Sequence, residues 1–65
     1  MHRFFVPSAS IQSNQVAFPS EAAHQIYSVL RLRPGQRLVV LNNLGDEYLV
    51  ELDEVNQKAT SGKII

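Results

Sequence analysis

Only one stretch of this 65-residue chain spaces its apolar residues for a helix, and that stretch is cut short. Ala23, Ile26, Tyr27 and Leu30 stand at i, i+3, i+4 and i+7, the repeat of a helix with one buried face. Ser20 is placed to cap it, and Glu21 puts a negative charge in the first turn, where the helix dipole favours one. Arg33 precedes Pro34, and a residue before proline is pushed out of helical geometry, so the helix runs from about Glu21 to Leu30. Pro34 and Gly35 then fill the two central positions of a type II turn. The segment from His24 to Gly35 also carries Arg31 and Arg33, with Arg37 just past the turn. A packed helix thus delivers a cluster of guanidinium groups to a chain reversal.

Everything else reads as short strands. His2 to Val6 is an apolar and aromatic run closed by Pro7, and Val16-Ala17-Phe18 is a second strand that stops at Pro19. Between them, Ser8 to Gln15 is polar and reads as a loop despite Ile11. Arg37 to Leu41 is a strand, and Asn42-Asn43-Leu44-Gly45-Asp46 supplies a turn, so a hairpin follows. Tyr48 to Val55 alternates, with Tyr48, Val50, Leu52 and Glu54 on one face and Leu49, Glu51 and Asp53 on the other. Lys58 to Ile65 is a last strand, interrupted at Ser61-Gly62. About five strands this short bury themselves only by curling, which gives a mainly β fold, a small barrel with one helix across an end. Both Phe4 and Phe5 are expected in the core, one under the barrel wall and one under the helix.

A chain of this size buries only ~60% of its unfolded surface, and without cysteine no disulfide adds to its stability. The chain ends on Ile64-Ile65 in the middle of a strand, so a single domain over residues 1–65, cut from a longer polypeptide, is expected. No apolar run reaches the ~20 residues of a membrane helix. Arg3 followed by Phe4-Phe5-Val6 stops at Pro7, too soon for a signal peptide, and the protein is expected in the cytoplasm.

No catalytic constellation is present: nothing favours one of the serines as a nucleophile, and there is no cysteine. No metal site is expected either, since His2 and His24 are too few and too far from the carboxylates. Gly35, Gly45 and Gly62 are dispersed, which excludes a glycine loop around a phosphate. The net charge is zero but is unevenly spread. Residues 1–45 carry four arginines against Glu21 alone, net +3, and residues 46–65 carry the balancing net −3. Asymmetry of this kind can provide a basic face. Arg31, Arg33 and Arg37 are the leading candidates for a polyanion, because guanidinium forks fit phosphate oxygens and stack on bases. Alternation along an extended Arg31-Leu32-Arg33 would put both guanidiniums on one side and turn Leu32 inward. The alternative is a solvated rim in which the arginines pair with Glu47, Glu51 or Glu54. His24, on the helix, can stack on or hydrogen-bond a nucleotide, or be a partly buried histidine with a satisfied ring. Arg3 flanks Phe4-Phe5, a cation beside aromatics as in base-stacking platforms.

The opening Met1-His2-Arg3-Phe4-Phe5-Val6-Pro7, then Glu21-Ala22-Ala23-His24-Gln25-Ile26, then Val29-Leu30-Arg31-Leu32-Arg33-Pro34-Gly35-Gln36, in this order and spacing, resemble the amino-terminal region of the RsmE family. These are bacterial methyltransferases that modify N3 of a uridine in small-subunit ribosomal RNA, and the resemblance spans essentially the whole chain. It implies a PUA-like β-barrel that recognises RNA. It also implies that a carboxy-terminal SPOUT-type domain, absent from these 65 residues, binds S-adenosylmethionine and forms a homodimer. No cofactor residue is therefore assigned here. Arg3 matches the family's early arginine and Arg31 the arginine of its Val-Leu-Arg motif. His24 falls where the family often has a histidine pair, whose second member here is Gln25, and Arg33 and Arg37 are supporting positions.

The expected role is to dock ribosomal RNA through Arg3, His24, Arg31, Arg33 and Arg37 for methylation by the other domain. Two other readings stay open. In one, the barrel packs on its own catalytic domain through an exposed apolar patch of Leu44, Tyr48 and Ile64-Ile65. In the other, it is a stand-alone binding domain of unrelated function.

Overall fold

The computed structural model describes residues 1–65. Six strands form one sheet: β1 (Arg3–Phe5), β2 (Ile11–Gln12), β3 (Gln15–Ala17), β4 (Arg37–Leu41), β5 (Glu47–Val55) and β6 (Thr60–Ile64). Their order across the sheet is β1-β4-β5-β6-β3-β2. All neighbours are antiparallel except β1 and β4, which run parallel with Arg3 beside Val39 and Phe5 beside Leu41. The sheet curls into a half-barrel, and its single helix covers the open side. That helix, α1, starts as an α-helix over Ser20–His24 and continues as a wider turn over Gln25–Val29.

The sixth strand is β2, inside the segment expected to be a loop. Ser13 and Asn14 both adopt left-handed backbone angles, φ 50° and 64°, so the chain reverses in two residues. That pairs Ile11 with Val16 and Gln12 with Gln15. Such a turn matches the twist of the strands it joins, and asparagine tolerates the required angles better than most residues. Half-buried Ile11 then packs against the core.

The core is Val6, Val16, Phe18, Ala22, Ile26, Leu38, Val40, Val50 and Leu52. Leu38, Val40, Val50 and Leu52 come from the alternate inward positions of β4 and β5, and Ile26 plugs them from the helix. Phe4 is half-buried and meets Phe18 edge to face at 6.3 Å. Phe5 departs from expectation. It is 76% exposed, because β1 pairs so that Arg3 and Phe5 both point outward and only Phe4 points in.

Two further departures follow from pairing. Between Leu52 and Glu54 the β5–β6 register shifts, leaving Asp53 as a bulge. One extra residue reverses the alternation, so Val55 packs inward and Glu54 faces solvent. And Gly62 does not interrupt β6. It lies buried opposite Leu52, where a Cβ would stand 2.5 Å from Val50 Cγ1 and 2.9 Å from the Glu51 carbonyl oxygen.

Candidate nucleic-acid interface

The end of α1 sets the site. The Ala23 N–H bonds to the Pro19 carbonyl four residues back, but the Leu30 N–H reaches five back to Gln25 and the Leu32 N–H six back to Ile26. This widening breaks the even spacing on which the amphipathic reading rests. Ala22 and Ile26 point into the core, whereas Tyr27, expected on the buried face, is 41% exposed.

Arg31 follows at φ 53°, the left-handed conformation in which helices often end, usually with glycine. The chain is therefore not extended at Arg31. The outcome for the side chains is still the expected one: Arg31 and Arg33 are exposed, and Leu32 packs on the core between them. The turn that follows is the expected type II turn. Gly35 has φ 94° and the Gln36 N–H bonds to the Arg33 carbonyl at 3.1 Å. The Gln36 side chain accepts from the Arg33 N–H at 2.7 Å, and Gly35 N–H to Leu52 carbonyl and Leu52 N–H to Gln36 carbonyl tie the turn to β5. Arg33 thus opens a turn tied to itself and to β5, Arg31 stands two residues before it, and both line one surface groove together with Tyr27, Ser28, Pro34 and Val55.

The other candidates sit elsewhere. Arg3 and Arg37 lie on the outward face of the sheet, and strand pairing sets a glutamate near each. Arg3 is 3.6 Å from Glu47, and Arg37, directly across from Glu51, is 3.4 Å from it, with Lys63 3.9 Å from the other Glu51 oxygen. The charge asymmetry along the chain is therefore folded back on itself there. Pairs this exposed are worth ~0–1 kcal/mol and exchange readily with solvent. Arg31 and Arg33 take part in none of these ion pairs. His24 is exposed on the helix, between a groove it shares with Phe5 and a depression it shares with Tyr27 and Ser28.

Sequence reasoning missed two residues that border this region, Tyr27 and Lys58. Lys58 lies in the turn between β5 and β6, which Asn56 organises: its side-chain oxygen accepts from the Lys58 and Ala59 N–H groups at 2.9 and 2.7 Å. That turn reaches the helix, so Gln57 and Lys58 meet His24, Tyr27 and Ser28 around one depression. No local sequence signal joins residue 58 to residue 27; only the length of the β5–β6 hairpin does. No group of histidines and carboxylates is placed to hold a metal ion, and no helix is long and apolar enough to cross a membrane.

The sequence profile of the RNA methyltransferase PUA domain matches residues 18–65. No curated protein matches the chain by sequence. Solved structures match its fold closely. A predicted RNA methyltransferase from Thermotoga maritima superposes with a TM-score of 0.85 at 26% identity, over 100% of this chain and 28% of its own. The ribosomal RNA small subunit methyltransferase E of Neisseria gonorrhoeae, bound to S-adenosyl methionine, gives 0.83 at 23% identity, over 98% of this chain and 27% of its own. A probable rRNA-methyltransferase from Porphyromonas gingivalis gives 0.82 at 23% identity, over 100% of this chain and 26% of its own. The chain thus spans little more than a quarter of the length of these proteins.

Proposed function

The chain belongs to the RNA methyltransferase PUA domain family, and from that premise we propose that it docks small-subunit ribosomal RNA for a methyltransferase. The observation that carries the reading is the groove at the end of α1, where Arg31 and Arg33 stand exposed and free of ion pairs, Arg33 at the start of a braced turn. Guanidiniums so placed neutralise phosphates and position an RNA without reading its sequence. Arg3, Arg37 and His24 extend the contact, the first two by exchanging a glutamate for a phosphate.

In this proposal the reaction is transfer of a methyl group from S-adenosylmethionine to N3 of a uridine, carried out by a separate carboxy-terminal domain that also forms the dimer. The residues of this chain do not fit the methyl donor. Gly35 and Gly45 lie in turns at opposite ends of β4 and Gly62 is packed against Val50, so no glycine loop is available to hold it. The cations of the Arg31–Arg33 groove would also repel a sulfonium. The chain's residues hold substrate, and no step of the transfer is assigned to them.

A second reading rests on exposed apolar residues, Phe5 on β1, Leu44 in the β4–β5 turn and Ile65 just past β6, each more than half exposed. That apolar surface suits packing against the protein's own further domain, although Tyr48 and Ile64, expected to join it, are half-buried. Packing there would leave the Arg31–Arg33 groove open but would compete with RNA for Arg3 and Arg37.

The test is the affinity of the protein for a small-subunit ribosomal RNA fragment, with and without Arg31→Ala. The proposal predicts about a tenfold loss, the worth of one charge-assisted contact. Undiminished binding would remove Arg31 from the docking surface.

A further inference from the structure

We propose that Tyr27 is a stacking platform for one unpaired base, so that the groove takes single-stranded or looped RNA and not an A-form duplex. This rests on the RNA-docking reading above and specifies its substrate. Three adjoining depressions meet at Tyr27. One holds Arg31 and Arg33, one holds His24, Ser28 and Lys58, and one lies over the Asn56–Ala59 turn. A tyrosine that serves only the core would be turned inward with Ile26. Tyr27 is instead the one aromatic on the helix, 41% exposed where Ile26 beside it is fully buried. Tyr27 lies in the widened turn over Gln25–Val29, and wide turns of this kind are often found at functional sites.

The charges around the ring complete the argument. Arg31 and Arg33 on one side and Lys58 on the other are exposed and take part in no ion pair. One carboxylate, Glu54, shares the depression over the Asn56–Ala59 turn with Tyr27 and Lys58, and it accepts a hydrogen bond from the Asn56 amide at 3.0 Å. An aromatic face flanked by cations on two sides fits one base with the phosphates before and after it. In a duplex the faces of the bases are covered by their neighbours, so a stacking side chain gains nothing there.

Tyrosine emission provides a direct readout. The chain has no tryptophan and two tyrosines, so in a Tyr48→Phe background Tyr27 is the only emitter. The probes are a twelve-nucleotide uridine RNA and a hairpin-free RNA duplex of equal length. Stacking predicts that the single strand quenches Tyr27 emission and the duplex does not. It further predicts that Tyr27→Ala weakens single-strand binding about five- to hundredfold while Tyr27→Phe retains it. Far-UV circular dichroism confirms that each variant is folded. If Tyr27→Ala binds like the wild type while Arg31→Ala is weakened, the stacking inference falls and the docking reading stands. If neither variant is weakened, both fall. Equal affinity for the duplex also overturns the inference.

Discussion

The docking role proposed for Arg31 pulls against its place in the fold. At φ 53° it sits in a conformation that costs a residue with a Cβ about 1–2 kcal/mol, at a position where helices usually place glycine. Nothing in the core requires an arginine there, since its side chain is exposed. The residue is thus poor for folding and well placed for a phosphate, the combination expected where strain is kept for binding. Replacing it separates the two. Arg31→Gly should raise stability by about 0.5–1 kcal/mol, once glycine's greater freedom in the unfolded chain is set against the relieved strain. It should weaken RNA binding at the same time. Urea unfolding and an RNA titration on the same preparation check both signs; a variant that is less stable would show that Arg31 contributes packing.

Among the elements, β5 and β6 carry the fold's least forgiving contact. Gly62 is there because two backbones approach too closely for a side chain, with Val50 and the Glu51 carbonyl filling the space. Gly62→Ala should therefore cost about 1–3 kcal/mol, the usual penalty for overpacking, read as a lower midpoint in urea at unchanged slope. In the sequence this glycine reads as a break in the strand, because a contact from a neighbouring strand leaves no local trace. The same limit explains the other departures. The Pro34-Gly35 turn, the Asn42–Asp46 hairpin and the β4 strand are legible because each is dictated by residues within a few positions of one another. The bulge at Asp53 depends on how β5 meets β6, and the outward turn of Phe5 on how β1 meets β4. Tyr27 was legible as part of a helix but not as its exposed side, since the widened turn is set by what Ile26 and Leu32 bury.

For the whole molecule, folding splits the Arg31, Arg33 and Arg37 cluster that the sequence presents, setting Arg37 with Arg3 on the sheet and Arg31 and Arg33 apart. The Asn42–Asp46 hairpin fixes the β4–β5 register, which puts Glu47 opposite Leu41 and Glu51 opposite Arg37. The acidic half of the chain thereby supplies a glutamate to each of Arg3 and Arg37 but none to Arg31 or Arg33. Glu47 and Glu51 were readable as partners, and the isolation of Arg31 and Arg33 was not, because it depends on where the sheet stops. A domain with zero net charge keeps a local cationic groove in this way, without the self-repulsion of a strongly basic chain. In the proposed role, this groove neutralises RNA phosphates. The most direct test is the salt dependence of binding to a single-stranded ribosomal RNA fragment, for the wild type and for Arg31→Ala/Arg33→Ala. Two lost phosphate contacts should flatten the slope of log affinity against log salt by about 1.4. An unchanged slope would mean that Arg31 and Arg33 do not touch the phosphates.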